Sequence, residues 1–175
     1  VKKYPHALAV GIIAPQYVTK IEEEEPIPEN ERKDKRVHLM TIIPEEQFKN
    51  LQKIKKEIVE HVKHIKPKIW LHIIPPIAIW NFASDARSDL VGAISTAFPL
   101  YDKGLLGSLR VSEIHKTLVL RKFDKYISSY VIAGSLVRGT ATKTSDVDVF
   151  IVVDDTDVKR MSRLELKERL RSIIF

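Results

Sequence analysis

The run GSLVRGTATKTSDVD, residues 134–148, is the most informative part of the sequence. Short apolar runs flank it, and they predict one strand over residues 130–133 and a second, buried strand over residues 146–153. Gly134 allows a close backbone approach where the first strand must turn, and Ser135 offers a hydroxyl beside free N–H groups. The connection between the two strands can therefore hold a phosphate.

Asp146 and Asp148 lie two residues apart at the start of the second predicted strand. Side chains in a strand alternate between faces, so we expect both carboxylates on the same face. Two carboxylates on a core strand repel each other and lose hydration unless a cation lies between them. Mg²⁺ is usually held by one or two carboxylates together with substrate phosphates, and a pair of such ions stabilises an in-line displacement. The alternative is that both aspartates belong to the solvated start of the strand.

The order of these residues resembles the signature of a known family. Gly-Ser, Arg-Gly three residues on, a polar loop ending in Ser-Asp-x-Asp and an apolar strand are similar to the motif of the nucleotidyltransferase (DNA polymerase β-like) superfamily, especially its minimal archaeal and bacterial members. Val137 departs from that motif, in which alanine is usual. The resemblance implies an α/β fold, in which helices flank a small mixed β-sheet. It also implies transfer of a nucleoside monophosphate from a nucleoside triphosphate to a hydroxyl of a protein, an RNA or a small molecule.

The resemblance also implies roles for individual residues. Asp146 and Asp148 would be the catalytic residues and the ligands of Mg²⁺ or Mn²⁺. The nucleotide, most simply ATP, would be bound by Gly134, Ser135, Arg138, Gly139 and Ser145, of which Arg138 and Gly139 shape the loop.

Members of the superfamily carry a third carboxylate on the strand after the next helix. Residues 157–175 predict that helix, because apolar residues recur at mostly three-residue steps among basic ones. Asp154 and Asp155 lie roughly 25 Å from Asp146 at ~3.3 Å per strand residue, so they cannot replace the third carboxylate. We therefore expect this chain to be part of a longer protein, and a carboxylate on an apolar strand after residue 175 would complete the site.

The N-terminal half repeats the order of strand, loop, strand and helix. Strands are predicted over residues 7–14, 36–43 and 68–74, with a charged excursion over 22–35 and a helix from Glu45 to Pro67. This order predicts a degenerate nucleotidyltransferase-like or accessory domain over residues 1–110 and a catalytic core over residues 111–175, joined by a helix near 112–128. The alternative is one α/β domain with an unrelated N-terminal extension.

Aligning Ile43 with Val153 places His38 at the position of Asp148 and pairs Gly11 with Gly134. The catalytic residues are then absent from the first copy, and the third carboxylate position falls on Trp70 or His72. Four histidines in this half could suggest a metal cluster, but histidines on helix surfaces or in packing positions are more ordinary; they are His38, His61, His64 and His72.

Composition limits the classes of protein that remain. Hydrophobic residues make up 44% of the 175 residues, but no apolar run reaches the ~20 residues that a membrane helix needs, so we expect a cytoplasmic protein without membrane contact. The absence of cysteine excludes disulfides. A net charge of +6 is compatible with a nucleic-acid partner, or with helix faces that are only solvated. A nucleotide-binding regulatory or antitoxin-like module and a homo-oligomer also remain open.

Overall fold

The computed structural model describes residues 4–28, 35–154 and 161–171. The N-terminal part contains β1 (Ala9–Ile12), α1 (Val18–Glu24), β2 (Arg36–Ile42), α2 (Leu51–Val62), β3 (Lys68–Ile74), α3 (Pro76–Ser84), α4 (Ser88–Ser95) and β4 (Phe98–Asp102). It is followed by α5 (Leu105–Phe123), β5 (Ile127–Ala133), α6 (Gly134–Val137), β6 (Asp148–Val153) and α7 (Arg163–Arg171).

Four strands form a mixed sheet in the order β3-β2-β1-β4. β1 is antiparallel to both of its neighbours, whereas β2 and β3 are parallel and are joined through α2. A parallel pair needs a long crossover, and the amphipathic pattern of residues 51–62 provides the helix for it. The fold is therefore of the mixed α/β class that the sequence predicts.

Helices cover both faces of this sheet. Ile58 of α2 lies across from Val10 and Leu39 on one face. On the opposite face, the alternate residues of β2 enter the main core together with residues of the other helices and of β3. This core contains Ala9, Ile13, Ile21, Met40, Ile42, Ile74, Ile79, Leu90, Val91, Ala93, Ile94, Ala97, Leu105, Leu106, Leu109, Leu136 and Ala141.

β5 and β6 form a separate antiparallel pair, in which Ala133 lies opposite Asp148. The chain between them begins as the single turn α6 and continues as a loop over residues 138–147. Leu136 from α6 is fully buried and Ala141 from the loop is 8% exposed, and both belong to the core described above. The connection that carries the sequence motif is therefore fixed to the N-terminal sheet. The predicted boundary at residue 110 lies inside α5, and the division into two domains stays a prediction.

The ladders of the two halves share one pattern. In each half a first strand runs into a short helical segment and pairs antiparallel with the next strand. The register also corrects the alignment of the glycines. In the second half, Gly134 lies one residue beyond the ladder partner of Asp148. If His38 is matched to Asp148, the residue one beyond the ladder partner of His38 is Ala14. Gly11 instead pairs with Met40 inside β1. Gly11 is a strand residue, and it does not occupy the position of Gly134.

The prediction that the second strand of the motif is buried is wrong. Phe150 is 64% exposed, Val152 is 49% exposed, and Val131, which lies opposite Phe150, is 44% exposed. A two-stranded sheet has two faces, and α5 packs on the face that carries Tyr130 and Ile151. The described residues cover the other face only in part. A continuous apolar run predicts a strand correctly here, but it does not show that both faces are covered.

Other element bounds differ from the sequence-based predictions in limited ways. α1 overlaps the start of the predicted charged excursion, and its one buried residue, Ile21, lies between polar neighbours. The predicted helix from Glu45 begins as a 3-10 turn over Glu45–Asn50 before α2. The strand predicted over 146–153 begins at Asp148, and the predicted terminal helix corresponds to α7, with residues 155–160 and 172–175 outside the described part.

No helix among the described residues is both long and apolar enough to cross a membrane.

Replacing Leu136 with alanine tests whether the motif connection depends on the shared core. We expect Leu136→Ala to lower the free energy of unfolding by about 2–5 kcal/mol, because a fully buried leucine leaves a cavity. Urea denaturation followed by circular dichroism measures this change. Leu164→Ala is the control, since Leu164 is 70% exposed and its truncation should cost less than about 0.5 kcal/mol. Equal effects of the two substitutions would contradict the shared core.

Candidate active site

Gly134 and Asp148 are in direct contact at the start of the motif connection. Gly134 has φ +72°, a left-handed conformation that side chains other than glycine rarely adopt, and the carboxylate of Asp148 lies over its Cα. A Cβ added to Gly134 would lie 2.9 Å from Cγ of Asp148 and would overlap its Oδ2. Gly134 is therefore the residue type that lets this carboxylate lie against the turn.

Both aspartates of the motif are exposed, and Val147 between them is half-buried. The hydrogen-bonded ladder begins at Asp148, so Asp146 belongs to the preceding loop, but the alternation of exposure extends back to it. Among the described residues, no lysine, arginine or histidine forms an ion pair with either carboxylate at distances up to 4.0 Å. Two exposed, unneutralised carboxylates fit the oxygen ligands that Mg²⁺ takes beside phosphates.

α6 offers polar groups beside this carboxylate. The first N–H groups of any helix lack partners within the helix, and Ser135 is a half-buried residue in this first turn. The carbonyl of Ser135 is already used, because it accepts hydrogen bonds from the N–H of Thr140 at 3.0 Å and from its hydroxyl at 3.4 Å. Arg138, which ends the turn, is exposed. The turn thus begins at the glycine that contacts Asp148, carries a serine at its next position and ends at an exposed arginine.

Ser145 supports the shape of the loop. Its hydroxyl accepts a hydrogen bond from the N–H of Thr142 at 2.9 Å and lies 3.0 Å from the Thr142 hydroxyl, and its own N–H donates to the Thr142 carbonyl at 3.1 Å. Gly139 contacts Pro76 of the N-terminal part, since a Cβ on Gly139 would meet Pro76 Cγ at 3.5 Å. The contacts described for Ser145 and Gly139 are therefore with other residues of the protein, and they support the shape of the loop.

Gly104 is a residue to which the sequence patterns assigned no role in the site. It has φ +134°, and a Cβ there would lie 2.6 Å from the backbone N of Lys143 and overlap the carbonyl of Thr142. The carboxylate of Asp102 beside it accepts hydrogen bonds from the N–H groups of Gly104, Leu106 and Gly107 at 2.9–3.1 Å. Asp102 and Gly104 together start α5, and Gly104 lets the loop at Thr142 and Lys143 pack against the start of this helix. The segment Leu100 to Gly104 was the available signal.

A cavity of about 850 Å³ lies between α5 and the inner face of the β5–β6 pair. Asp146, Ser145 and Lys143 line it at the loop, whereas Asp148 is not among its lining residues. Its walls are mainly apolar, with Val149 and Ile151 from β6. Asp146 therefore lies at a space large enough for a small-molecule ligand, whereas Asp148 lies at the Gly134 turn.

Tyr130 and His115 form a polar pair in the same cavity, and sequence reasoning missed it. The Tyr130 hydroxyl donates to the Ser112 carbonyl at 3.2 Å and lies 2.9 Å from Nδ1 of His115. Burial raises the pKa of Tyr130 to about 12, and the charge of Glu113 acts in the same direction, so the hydroxyl keeps its proton. His115 Nδ1 then donates to Tyr130. These residues are far apart in the sequence, and no pattern joins them.

The four histidines of the N-terminal half do not form a metal cluster in the described residues, which contain no group of three or more potential ligands. His61 is exposed and its Nδ1 contacts the carbonyl of Glu57. His38 and His72 are buried and contact each other.

Comparison with known proteins gives one match. Residues 112–174 match a family model described as a nucleotidyltransferase domain, and this segment runs from the middle of α5 through the motif. Searches of curated proteins and of solved structures returned no match.

Gly134→Ala tests the contact between the turn and Asp148. The left-handed φ alone should cost about 1–3 kcal/mol of folding free energy, and the overlap with the carboxylate adds to this cost. Thermal unfolding followed by circular dichroism measures the loss. Gly107→Ala is the matched control, because Gly107 is a helical glycine whose added Cβ would make an ordinary contact at 3.4 Å with Asp102. A Gly134→Ala protein as stable as the control would refute the contact.

Proposed function

We propose that this chain, whose residues 112–174 carry a nucleotidyltransferase domain, transfers a nucleoside monophosphate from a nucleoside triphosphate, most simply ATP, to a hydroxyl acceptor. The acceptor oxygen forms a bond to the α-phosphorus, the bond from that phosphorus to the bridging oxygen breaks, and pyrophosphate leaves with release of the hydroxyl proton. The family match supports this class of reaction. The choice of ATP and of the acceptor goes beyond that match.

The contact between Gly134 and Asp148 is the observation that carries the proposal. It brings a serine-bearing turn with free N–H groups next to an exposed carboxylate, so the phosphate-binding and metal-binding halves of the site are adjacent. A carboxylate alone would repel a triphosphate. The adjacency is therefore favourable only if a cation is part of the bound state.

Each motif residue has a role in this proposal. Asp146 and Asp148 would hold Mg²⁺ or Mn²⁺, which when bound neutralises charge on the phosphate oxygens and on the leaving group. Gly134 and Ser135 bind the phosphates, and exposed Arg138 offers a further positive charge. Ser145 and Gly139 keep the loop in shape, in keeping with their contacts to Thr142 and Pro76. Positioning and charge neutralisation supply most of the rate enhancement.

The N-terminal part supports the site in this proposal. We regard residues 1–110 as a degenerate copy of the same unit and residues 111–175 as the catalytic core, because both share the antiparallel strand pair with a short helical segment between its strands. The match of His38 to Asp148 leaves the first copy without a carboxylate at that position. The cytoplasmic location, the homo-oligomer and the nucleic-acid partner stay predictions from the sequence.

A second candidate is a regulatory or antitoxin-like module that binds a nucleotide and performs no chemistry. The observation that favours it is the number of ligands: the described residues bring two carboxylates to the motif and no third one, since they hold no cluster of three potential ligands. Two carboxylates are enough for binding a magnesium–nucleotide complex.

Asp148→Asn should reduce transfer of labelled nucleotide at least about a hundredfold, because it removes a charge that acts directly at the reacting phosphate. The change is nearly isosteric at an exposed position, so the unfolding midpoint should stay within a few degrees of the unaltered protein. The measurement is magnesium-dependent incorporation of label from α-labelled ATP. Asp124→Asn, an exposed carboxylate in the same matched segment, is the control and should retain full activity. Unchanged turnover in Asp148→Asn would refute the assignment.

Calorimetry with ATP separates the two candidates. We expect binding in the presence of Mg²⁺ and its loss when a chelator removes the metal, because the two carboxylates then repel the phosphates. Binding accompanied by label transfer supports the enzyme, and binding without transfer under the same conditions supports the module. Equal affinity with and without the metal would contradict both.

A further inference from the structure

The cavity between α5 and the β5–β6 pair is elongated along the helix. Its lining residues on α5 and at the N-cap of this helix lie three or four positions apart on one face, from Gly104 to His115. They span ~16 Å at ~1.5 Å of rise per residue. The loop at Lys143 lies at the Gly104 end, and Tyr130 lies beside His115 at the other end. We call this space the α5 cavity.

The volume of the α5 cavity fits a small molecule. About 850 Å³ spread over this length corresponds to a cross-section of roughly 50 Å². This is wider than a single alkyl chain and suits a fused ring system. An α-helix with its side chains is about 10 Å across and does not fit. The dimensions therefore favour a small ring-bearing molecule over a protein segment.

Ser108 offers a hydrogen-bonding group near the loop end of the α5 cavity. It is only 8% exposed and lines the cavity, and its hydroxyl forms no hydrogen bond with a described residue. Ser112, the next serine on this face, differs because its hydroxyl donates to the Ser108 carbonyl at 2.8 Å. A buried hydroxyl without a partner costs free energy, so Ser108 favours a ligand that forms a hydrogen bond with it.

His115 offers a second such group at the far end. The Tyr130 hydroxyl contacts both the Ser112 carbonyl and His115 Nδ1, but it has one proton for two contacts. The imidazole therefore supplies the proton at Nδ1, and Nε2 of the neutral ring carries a lone pair. Nε2 forms no hydrogen bond with a described residue. It can accept a hydrogen bond from a ligand hydroxyl.

Apolar walls lie between these two groups. Ser108 and His115 are seven residues apart, or ~10 Å along α5. Val111 lies between them on the same helix face, and Val149 and Ile151 line the cavity from β6. Such walls bind an apolar body by removing its surface from water. The complementary ligand thus has an apolar body with a hydroxyl at each end.

Asp146 connects the α5 cavity with the proposed reaction. It lines the cavity at the loop, and in the proposed function it holds the metal that neutralises the phosphates. Gly134 and Ser135, which would bind the triphosphate, are not among the described residues that line the cavity. The triphosphate therefore leaves the cavity open to the second substrate.

We infer that the α5 cavity binds the acceptor, and that this acceptor is an elongated small molecule with an apolar, ring-bearing body and a hydroxyl at each end. The inference rests on the proposed function, because it uses the metal at Asp146. The hydroxyl at the Asp146 end bonds to the α-phosphorus, pyrophosphate leaves and the hydroxyl proton passes to water, so the product is a phosphodiester. The distal hydroxyl donates to His115 Nε2.

Binding of naphthalene-2,6-dimethanol, in which a rigid apolar ring system separates two hydroxyl groups, tests the site without nucleotide or metal. We expect this diol to shift the methyl resonances of Val111, Val149 and Ile151 in NMR spectra of the unaltered protein. Methyl groups of Val10 and Leu39, which line a different cavity beside α2, should not shift. Absence of shifts in the α5 cavity would overturn the inference. Displacement of the diol by adenosine would also overturn it, because the cavity would then take the nucleoside.

Substitutions at the two ends test the hydrogen bonds. Ser108→Ala and His115→Asn should each weaken binding of the diol about threefold to tenfold, because each removes one hydrogen bond. Asparagine places an amide where Nδ1 lies and so retains the contact with Tyr130. Binding of 2-naphthalenemethanol should change less than about twofold, because its single hydroxyl can use the other end.

Thr117→Ala is the control for both substitutions. Thr117 is exposed on the same helix, and its hydroxyl donates to the Glu113 carbonyl at 2.8 Å. This variant should bind both alcohols as the unaltered protein does. Equal weakening of both alcohols by Ser108→Ala and His115→Asn would indicate a structural role only and would overturn the inference.

Transfer of label from α-labelled ATP with Mg²⁺ separates this inference from the proposed function. Label in the diol supports both. Label in glycerol or in an RNA oligonucleotide, with none in the diol, would overturn the inference and leave the proposed function intact. Binding of the diol without transfer to any of the three acceptors would contradict the proposed function, while the α5 cavity would remain the binding site for this class of ligand.

Discussion

The core on the inner face of the four-stranded sheet is the constraint on which the rest of the structure depends. It takes Leu136 from α6 and Ala141 from the following loop, so the connection between β5 and β6 is held at two points. A two-stranded sheet alone is only marginally stable in water. Because its connection is buried in a larger core, the pair can present exposed carboxylates without losing its shape.

This arrangement separates support from chemistry. Close packing at Gly104 and Gly139 fixes the loop backbone from the N-terminal side, and the contact at Gly134 fixes Asp148 from within the motif. The three glycines in these contacts carry no side chain and no charge. The residues proposed to meet the nucleotide, such as Arg138 and Asp146, are exposed and free of such packing. Substitutions of these exposed residues can therefore change what the site binds without altering the packing of the core.

Local patterns in the sequence predicted the elements that depend on local physics. β3 agrees with its predicted bounds because its apolar run lies between two proline-bounded segments, and the turn at Gly134 follows from the need for a left-handed residue. α1 was missed because five of the seven residues from Lys20 to Pro26 are charged and its single buried residue gives no periodic signal. The exposure of Phe150 could not be predicted, because it depends on what packs against the second face of a strand.

The same limit applies to the site. Gly134 and Asp148 are 14 residues apart in the motif, and only the ladder shows that Asp148 lies opposite Ala133 and so reaches the turn. Asp146 was predicted inside the strand, and the ladder begins two residues later. His38 and His72 are 34 residues apart, and the parallel register of β2 and β3 brings them into contact. Contacts of this kind follow from topology, which single-sequence patterns leave open.

The burial of Leu136 and Ala141 also bears on what counts as a unit in this protein. The family match begins at residue 112, inside α5, and so it excludes Leu105, Leu106 and Leu109, which share the core with these two residues. A polypeptide limited to the matched segment would expose both side chains to water and leave Gly104 absent from the loop contact. The segment that matches the family model is therefore smaller than the set of residues that packs around the motif connection, and the connection depends on side chains outside the matched segment.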